Sequence, residues 1–309
     1  MVNQRSRITV VGSFMTDLMS RTPRLPVAGE TVMGGRFKMG PGGKGSNQAM
    51  AAARLGAQVC MAASLGTDAF GDLACQSPVN AGICTDWVKR VNTAHTRAAL
   101  IIVDEVKAEN MIVVAPGSNS ELGPDDVDEA KQDILGSDYV LLQLEIPLET
   151  VQHGVDIAHA NGVKVILNPA PGRALPDELP EKVGALTPNE TQATAITGMP
   201  VNDVGSAEQA ARALLGRGCR TVVMTLGSDG ALAVTPESTD HVPAFKVNAI
   251  DTTGAGDAFS GARAVALAEG LPLVNSVRFA NAAAALSVTK VGTSVAMPMG
   301  QEVEAFMTS

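Results

Sequence analysis

The sequence predicts an α/β protein: a central, mostly parallel β-sheet between two layers of helices, with a second, small β-sheet. Short apolar segments typical of buried strands alternate with segments of helical periodicity, and strands that alternate with helices form parallel sheets. Two segments near the N-terminal half interrupt that alternation and predict the small sheet. The 309 residues suit one large α/β domain, because no repeat or flexible linker divides the chain.

The first predicted element is a strand, and a helix follows it after a non-helical segment. Arg7–Ser13 is a β-branched run closed by Gly12, which predicts a buried strand. Helical periodicity begins near Gly45 and continues through alanines to Leu55. Further apolar runs predict strands at Gln58–Ser64, Tyr139–Gln143, Val163–Leu167, Gly184–Leu186 and Arg220–Thr225. Helical patterns cover Pro147–Ala160, Ser206–Leu215, Ala255–Glu269 and Leu273–Lys290.

The small sheet is expected from two segments. Thr22–Gly40 is rich in Pro and Gly and alternates polar with apolar residues, so exposed strands and turns are expected there. Arg97–Val114 carries two β-branched runs around Glu105–Glu109. We therefore expect one domain over residues 1–309, with lid segments at about 15–41 and 97–114 inserted within it.

Composition excludes several classes of function. The net charge is −9, aromatic residues make up 3%, and no basic run is present, so nucleic-acid binding is disfavoured. No apolar stretch reaches the roughly 18 residues of a membrane span, and Met1–Ile8 lacks the apolar core of a secretion signal, so a cytoplasmic protein without a membrane partner is expected. The four cysteines form no C-x-x-C pair and the four histidines are scattered, so free thiols rather than a zinc site are expected.

A glycine-rich segment, Gly40–Gln48 (GPGGKGSNQ), opens the first helix. Glycines let a ligand approach the backbone, and a helix N-terminus offers unpaired N–H donors. Gly follows Lys44 where a Walker A loop has Ser or Thr, and the G-x-G-x-x-G dinucleotide pattern is absent. A structural turn is the alternative, but Lys44, Asn47 and Gln48 favour ligand binding, because an Asn amide both donates to and accepts from a sugar hydroxyl.

A second glycine-rich segment, Asp251–Gly261 (DTTGAGDAFSG), leads into an Ala-rich helix. Successive N–H groups there form an anion cradle that the helix dipole strengthens. Asp257 either only favours the helix start or takes the proton of an attacking hydroxyl while the cradle neutralises a phosphoryl group. A third turn, Thr225–Gly230, follows a strand at a position where nucleotide phosphates bind in α/β proteins.

With these segments in place, the chain resembles the ribokinase family of carbohydrate and nucleoside kinases over essentially its whole length. The two signatures are Gly42–Ala49 (GGKGSNQA) and Asp251–Asp257 (DTTGAGD). Intermediate stretches resemble the sugar-specific ribokinases: Leu144-Glu145, Leu167–Pro171 and Thr187–Glu190.

The resemblance implies a three-layer ribokinase-like fold and ATP-dependent phosphorylation of a sugar's primary hydroxyl. Asp257 is then the base, the backbone amides of Ala255–Asp257, with Gly256 between them, form the anion hole, and Gly254 belongs to the same catalytic turn. The implied sugar-binding residues are Met15, Thr16, Asp17, Gly43, Lys44, Gly45, Ser46, Asn47 and Glu145. The implied nucleotide-binding residues are Asn189, Thr225, Leu226, Gly227, Ser228, Asp229, Gly230, Gly256, Asp257 and Asn281.

The resemblance also implies two ions and a second subunit. Mg²⁺ accompanies ATP, and K⁺ or another monovalent cation activates the enzyme near the anion hole. The implied ligands of that cation are Asp251 and the backbone carbonyls of Thr253, Ser287, Lys290 and Gly292. The β-segments form a lid over the sugar, and in ribokinases this lid also pairs two subunits into a homodimer.

Two residues depart from the family pattern near the ions. In Asn189-Glu190-Thr191-Gln192 the family pattern Asn-x-x-Glu ends in Gln, whereas the family's acid helps to organise Mg²⁺ through water. Gln192 still offers a hydrogen bond to metal-bound water but no charge. Ala296 stands where ribokinases often have Ser at the cation site, which predicts weaker K⁺ binding.

A third departure bears on the sugar. Met15 occupies the place of an Asn that binds ribose hydroxyls, and a thioether accepts hydrogen bonds only weakly and donates none. An unpaired hydroxyl against it costs about 1–3 kcal/mol, whereas a CH₂ gains about 0.8 kcal/mol. Both energies favour 2-deoxy-D-ribose over ribose, as in deoxyribokinases. The alternatives are a kinase of ribose or another small furanose and, less favoured, a non-catalytic sugar- or nucleotide-binding regulator.

Overall fold

The structure, a computed structural model, describes residues 5–107 and 109–308. Its strands are β1 (Arg7–Val11), β2 (Met15–Thr22), β3 (Phe37–Gly42), β4 (Gln58–Gly66), β5 (Cys84–Val91), β6 (Ala98–Asp104), β7 (Asn110–Ala115), β8 (Tyr139–Gln143), β9 (Lys164–Asn168), β10 (Ala185–Leu186), β11 (Val222–Thr225), β12 (Ala231–Val234) and β13 (Thr239–Val242). Its helices are α1 (Lys44–Arg54), α2 (Ala69–Asn80), α3 (Pro124–Glu129), α4 (Lys131–Leu135), α5 (Leu148–Ala160), α6 (Leu179–Lys182), α7 (Glu190–Thr197), α8 (Val204–Leu215), α9 (Ala255–Ala268), α10 (Leu273–Ser287) and α11 (Gly300–Thr308).

The large sheet has nine strands in the order β13-β12-β11-β10-β9-β8-β1-β4-β5. Every pair from β11 to β5 is parallel, whereas β12 and β13 extend one edge as antiparallel strands. Each parallel crossover returns through a helix, which places helices on the faces of the sheet. The predicted α/β fold with a mostly parallel sheet is confirmed.

Strand β1 shows how the sheet separates two helical layers. Neighbouring residues of a strand point to opposite faces. Val10 belongs to the apolar cluster that contains Phe259 of α9 and other residues of α1 and α10. Val11 belongs to the cluster on the other face, with Val151 of α5 and Ala211 of α8. A strand buried on both faces needs a continuous apolar run, and that is what the sequence shows at β1 and β8.

The structure shortens or adds some predicted elements. The helix expected over Leu273–Lys290 ends at Ser287, because the carbonyl of Val288 accepts the N–H groups of Ile250 and Asp251 instead of continuing the helix. The expected strand at Gly184–Leu186 is only two residues long. The β12–β13 hairpin was not predicted, because its strands have four residues each and carry little periodicity.

A second sheet, here called the lid sheet, has four strands in the order β3-β2-β6-β7. Strands β2 and β6 are parallel, and the outer pairs are antiparallel. The segment Arg97–Val114 supplies β6 and nearly all of β7, whereas Thr22–Gly40 is irregular between the end of β2 at Thr22 and the start of β3 at Phe37, and β2 itself lies before that segment. The lid sheet therefore stands apart from the large sheet, as expected.

Two further expectations concern the cysteines and the membrane. Cys60 on β4 is bonded to Cys84 on β5, which corrects the expectation of four free thiols, whereas Cys75 and Cys219 are free. The two strands are hydrogen-bonded neighbours in the large sheet, so they place the two side chains side by side.

Among the described residues, none of the helices combines the length and the apolar character that a membrane crossing requires.

Candidate active site

The site lies where the carboxyl ends of the central parallel strands meet the lid sheet. In α/β sheets, ligands bind at this edge because loops and helix N-termini converge there. Helix α1 begins here at Lys44, after Gly43 in a left-handed conformation (φ +93°). A Cβ at Gly43 would lie 2.7 Å from Met15 N, so this close approach requires glycine.

Asp257, the predicted base, lies in the first turn of α9 and is only 5% exposed. Its Oδ2 accepts a hydrogen bond from Asn47 Nδ2 at 3.0 Å, and its Oδ1 accepts one from Gln48 Nε2 at 3.1 Å. Burial raises the pKa of Asp257 above that of a free carboxyl group, and the Lys44 ammonium and the two amides act in the opposite direction. A buried carboxylate with a raised pKa is suited to accept a proton.

The turn before Asp257 opens onto a cavity. Gly254 adopts the left-handed conformation (φ +81°) that lets the chain turn into α9. A Cβ at Gly256 would meet no atom within 4 Å, so the backbone of Gly256 faces open space. Ala255 N and Asp257 N donate within the turn, to the carbonyls of Thr252 at 3.3 Å and Gly254 at 3.0 Å, so the anion cradle next to Asp257 stays a prediction from the helix N-terminus.

This cavity has a volume of about 330 Å³ and lies between the Thr225–Gly230 turn and the turn at Gly254–Gly256. Its lining includes these predicted nucleotide residues: Asn189, Thr225, Gly227, Gly230, Gly256, Asp257 and Asn281. The remaining three residues of the Thr225–Gly230 turn are not among the lining residues. Leu226 is buried in the apolar core, and Ser228 and Asp229 are exposed.

Asn281 was expected to bind the nucleotide, but most of its side-chain hydrogen bonds are made to the protein. Its Nδ2 donates to the carbonyls of Val242 and Pro243, at 3.0 and 3.2 Å. Both amide hydrogens are therefore used to hold the chain after β13 against α10. Only the Oδ1 atom of this side chain remains to contact a ligand.

Glu145 lies on the other side of Asp257, at the end of the loop that follows β8. Its Oε2 accepts from Ser13 Oγ at 2.6 Å and from the backbone N of Lys44 at 2.9 Å. Its Oε1 accepts from Arg97 Nη2 at 3.1 Å. This ion pair, with side chains 13% and 8% exposed, connects the lid sheet to the large sheet. Arg97 was not predicted, since an arginine next to a strand has no distinctive pattern.

Asp17 lies on β2 and lines a second cavity of about 500 Å³ beneath the lid sheet. Burial raises the pKa of Asp17 to about 6, with a further contribution from Glu145, whereas Arg97 lowers it. Its Oδ1 is buried and has no hydrogen-bond partner among the described residues. An unpaired buried carboxylate oxygen is unfavourable until a donor, such as a sugar hydroxyl, reaches it.

The other predicted sugar residues divide into facing and supporting groups. Met15 is half-buried and lies two residues before Asp17, so it shares the face of β2 that carries Asp17. Thr16 is on the opposite face, where its Oγ1 donates to the Phe70 carbonyl of α2. Gly45 packs so closely on Ser13 that it admits no side chain, and Ser46 is fully buried. Thr16, Gly45 and Ser46 therefore support the site.

Asn47 connects Asp257 to the C-terminal loop. While its Nδ2 donates to Asp257, its Oδ1 accepts from Ser294 Oγ at 2.7 Å. Ser294 is 1% exposed and was not predicted as a site residue. The serine fixes which end of the Asn47 amide faces the carboxylate, because the oxygen is already occupied.

The predicted cation residues are partly brought together. Asp251 Oδ1 accepts from Thr253 N and Asp251 Oδ2 from Gly292 N, both at 3.0 Å. Burial acts to raise the pKa of Asp251, but these hydrogen bonds outweigh it and lower the pKa. Ser287 is buried in α10, the Lys290 ammonium pairs with Glu302, and Ala296 is buried. The contacts to Asp251 thus come from backbone N–H groups of Thr253 and Gly292, and the Ser287 carbonyl accepts from Lys290 N at 3.3 Å, so the carbonyl cation site stays a prediction.

Gln192, at the Mg²⁺ position of the family pattern, has a structural role. Its Oε1 accepts from the backbone N of Asn189 at 3.0 Å and faces Asn168 Nδ2 at 3.5 Å. The first bond belongs to a capping box that begins α7. Its oxygen is thus engaged with protein donors, which leaves little capacity to accept from a metal-bound water. Within the described parts of the chain, no three His, Cys, Asp or Glu side chains converge to hold a metal.

Several polar residues of the site were not predicted from the sequence, because they lie at the ends of strands whose order in the sheet was not known. Ser13, Gln143 and Asn168 follow or close β1, β8 and β9, which are neighbours in the large sheet. Polar side chains at the carboxyl ends of adjacent parallel strands converge at one edge. That rule identifies them once the strand order is known, and the strand order is not readable from the sequence.

Comparisons with known proteins agree with this geometry. Residues 5–299 match the pfkB family of carbohydrate kinases. A deoxyribokinase of Salmonella typhi is 38% identical over 302 residues, which cover 97% of this chain and 98% of the relative. A ribokinase of Haemophilus influenzae is 41% identical over 303 residues, covering 98% and 99%. The structure of Arabidopsis thaliana ribokinase complexed with ribose and ATP has a TM-score of 0.93 and 31% identity, covering 99% and 100%. The chain therefore belongs to the pfkB family of carbohydrate kinases, as a ribokinase-like phosphotransferase that acts on a hydroxyl group.

Proposed function

We propose that this kinase transfers the γ-phosphoryl group of ATP to the 5-hydroxyl of 2-deoxy-D-ribose, giving 2-deoxyribose 5-phosphate and ADP. One observation carries the kinase chemistry: the buried Asp257 carboxylate lies beside the open backbone of Gly256, at the wall of the 330 Å³ cavity. The cavity suits a nucleotide because glycine turns and a helix N-terminus surround it.

In the proposed reaction, Asp257 takes the proton of the sugar hydroxyl as its oxygen attacks the γ-phosphorus. The bond from that phosphorus to the bridging oxygen breaks, and the electron pair leaves with ADP. Backbone N–H groups at the start of α9 stabilise the charge on the transferred group. Lys44 lines the same cavity and adds a positive charge.

Two ions belong to the proposal. Mg²⁺ supplies charge neutralisation on the ATP phosphates, and such ions are held largely by phosphate and water. Glu190 and Gln192 line the cavity at the end where we place that ion. A monovalent cation, K⁺ in our proposal, is held by Asp251 and the surrounding carbonyls of Thr253, Ser287, Lys290 and Gly292.

The proposed preference for 2-deoxyribose depends on Met15. Asp17 and Met19 line the cavity beneath the lid sheet, and Met15 lies on the same face of β2 by the alternation of the strand. We propose that Asp17, Gly43, Asn47 and Glu145 hold the sugar and that Met15 contacts its deoxygenated carbon. An apolar thioether favours a CH₂ there over a hydroxyl.

Ribose is the second candidate acceptor, and one observation favours it. A ribokinase and a deoxyribokinase are similar to this chain at 41% and 38% identity, so overall likeness supports both sugars nearly equally. The remaining distinction depends on Met15. A non-catalytic regulator is disfavoured, because a pure binder has no need of a buried carboxylate at the anion cradle.

The test is kcat/KM measured by coupled ADP release, with Mg·ATP and K⁺, for 2-deoxyribose and ribose in parallel. We expect deoxyribose to be preferred, and Met15→Asn to shift the preference toward ribose by about 5–150-fold, the equivalent of one unpaired hydroxyl. Met199→Asn is the matched control, since Met199 is also half-buried but lies between α7 and α8, outside the lid sheet. Asp257→Asn, which lacks the base, provides the background rate.

Each result has one meaning. A preference for ribose in the unaltered protein contradicts the deoxyribose proposal and leaves a ribokinase. An unchanged preference in Met15→Asn removes Met15 as the determinant. No ADP release from either pentose, or full activity in Asp257→Asn, contradicts the kinase reaction as written here.

We also propose that the lid sheet pairs two copies of the chain. Leu100 and Val113 are directly opposite each other on β6 and β7, and they are 53% and 64% exposed. Phe37, at the start of β3, is 66% exposed. Large apolar side chains on one exposed sheet are typical of a surface that another protein covers.

A further inference from the structure

A chain of buried side-chain amides leads from Gln143 through Gln48 to Asp257, and its branch to Asn168 reaches the wall of the 330 Å³ cavity. Gln143 Nε2 donates to Gln48 Oε1 at 2.8 Å. Gln48 Nε2 in turn donates to Asp257 Oδ1 at 3.1 Å and to Asn168 Oδ1 at 3.3 Å. Gln48 is 0% exposed and Gln143 is 1% exposed. None of these contacts is available to solvent, so water does not replace them.

The chain of amides has one direction. An ionised carboxylate only accepts hydrogen bonds, so the NH₂ end of Gln48 must face Asp257. The donor from Gln143 occupies the oxygen end of Gln48 and excludes the flipped amide. Asn168 continues in the same sense, because its oxygen accepts from Gln48 while its Nδ2 donates to the Thr187 carbonyl at 2.7 Å.

Stability alone does not favour this arrangement. Gln143 Oε1 is buried and has no hydrogen-bond partner among the described residues. Gly12 packs directly on that amide, and a Cβ at position 12 would collide with it. An apolar residue of similar volume at position 143 would avoid an unsatisfied oxygen, which is costly in a protein interior. The Gln143 amide is therefore better explained by the hydrogen bond that it donates to Gln48 than by packing.

Gln48, held by Gln143, restrains the rotation of the Asp257 carboxylate. Asn47 donates to Oδ2 and Gln48 donates to Oδ1, so the two contacts together define the plane of the group. Lys44 on α1 and Glu145 after β8 are the charged groups that face it. We propose that Gln48, oriented by Gln143, is a positioning residue that fixes the Asp257 carboxylate for proton transfer. This proposal rests on the proposed kinase function.

The first experiment measures kcat and KM for Gln48→Met, Gln143→Met and the double variant. A misplaced base slows chemistry, so we expect kcat of Gln48→Met to fall by about 10–100-fold. KM for the sugar and for ATP should stay within about threefold, because Gln48 contacts neither ligand in the proposed site. Gln143 acts only through Gln48, so its loss should have no additional effect in the double variant.

The second experiment uses Gln48→Glu, which keeps the volume of the side chain. Two carboxyl groups in contact cannot both ionise readily, so the acid limb of the kcat profile should move to higher pH. The limb should also move to higher pH in Gln48→Met, because the lost amide hydrogen bond no longer lowers the pKa of Asp257, and a role of Gln48 in packing alone would not cause that second shift. Thr150→Val is the matched control: Thr150 is fully buried, makes one hydrogen bond to the Leu122 carbonyl, and lies on α5 outside the site. It should leave kcat and the pH profile unchanged.

Three results overturn the proposal: folded Gln48→Met with kcat within about threefold of the unaltered protein, a rise in sugar KM at constant kcat, or additive effects in the double variant. A kinase without activity on any pentose would contradict the proposed function instead. In that case the carboxyl ¹³C resonance of Asp257, titrated in the unaltered protein and in Gln48→Met, still tests the positioning. An identical titration in the two proteins would overturn it.

Discussion

The two carboxylates at the sugar side differ because of the residues that surround each of them. Glu145 accepts hydrogen bonds from Ser13, from the Lys44 backbone and from Arg97, so its charge is well compensated. Asp17 has a buried, unpaired Oδ1 and a pKa raised to about 6, because it is buried beside Glu145. Asp251 raises that pKa further, whereas Arg97 and Lys38 lower it.

Asp17 therefore predicts a pH dependence at the residue scale. Because the proposed sugar contact uses the ionised form, kcat/KM for the sugar should fall as pH drops through about 6, the pKa of Asp17. The stability effect has the opposite sign. The pKa of Asp17 in the folded protein lies above 3.8, the value of a free aspartate side chain, so the folded state binds the proton more tightly and this residue stabilises the fold as pH falls from above 6 toward 3.8.

The measurement compares the unaltered protein with Asp17→Asn. The variant should lose the acid limb near pH 6 and the difference in thermal midpoint between pH 7 and pH 5. Arg97→Met removes the ion pair with Glu145 and a charge that lowers the Asp17 pKa, so its acid limb should move to higher pH. An acid limb that is the same in all three proteins would exclude Asp17 as its origin.

At the scale of the element, the first turn of a helix is used in two ways. The start of α9 has no side-chain cap, and Gly256 faces open space beside Asp257. The start of α7 is closed by a capping box, in which Asn189 and Gln192 satisfy each other's backbone N–H groups. The N–H groups of a helix start are thus used for helix stability at α7 and, in our proposal, for ligand binding at α9.

Helix α7 therefore predicts the effect of restoring the acid of the family pattern. In Gln192→Glu a carboxylate oxygen can still accept from the Asn189 N–H, and a negative charge in the first turn is favourable by about 0.3–1 kcal/mol. We expect the Mg²⁺ concentration that gives half-maximal rate to fall several-fold, with no loss of thermal stability. Gln209→Glu on the exposed side of α8 adds the same charge elsewhere and should leave the Mg²⁺ dependence unchanged. An equal response in both variants would assign the effect to net charge.

At the scale of the whole molecule, the lid sheet has two different faces. One row of cross-strand neighbours, Lys38, Met19, Ile101 and Ile112, lines the cavity beneath the lid sheet. The adjacent row contains Leu18, Leu100 and Val113, which point the other way by the alternation of strands and do not line that cavity. The first row faces the proposed sugar site, and the second leaves apolar side chains exposed.

The second row predicts the effect of a charge on assembly. We expect Leu100→Glu/Val113→Glu to shift the protein from dimer to monomer in sedimentation velocity, because the charges would be buried unpaired in the proposed interface. Val274→Glu, at an exposed position at the start of α10, should leave the dimer intact. An unaltered protein that sediments as a monomer at micromolar concentration would contradict the proposed pairing.

The sequence by itself determined the fold class, because strand runs that are apolar on both faces, such as β1 and β8, require helices on both sides of a sheet. It also predicts Asp257 and the glycine-rich turns Gly40–Gln48 and Asp251–Gly261 as site residues, since close backbone approach needs glycine at particular positions. Those inferences depend on local chemistry, which neighbouring residues specify.

The tertiary structure alone decided which distant polar groups meet. Gln143 and Gln48 are 95 residues apart and Arg97 and Glu145 are 48 residues apart, and each pair forms only after strands have been ordered in the sheet. The end of α10 at Ser287 likewise depends on Ile250 and Asp251 taking the Val288 carbonyl. Hydrogen bonds between remote segments leave no periodicity in the sequence, because their specificity lies in three-dimensional proximity.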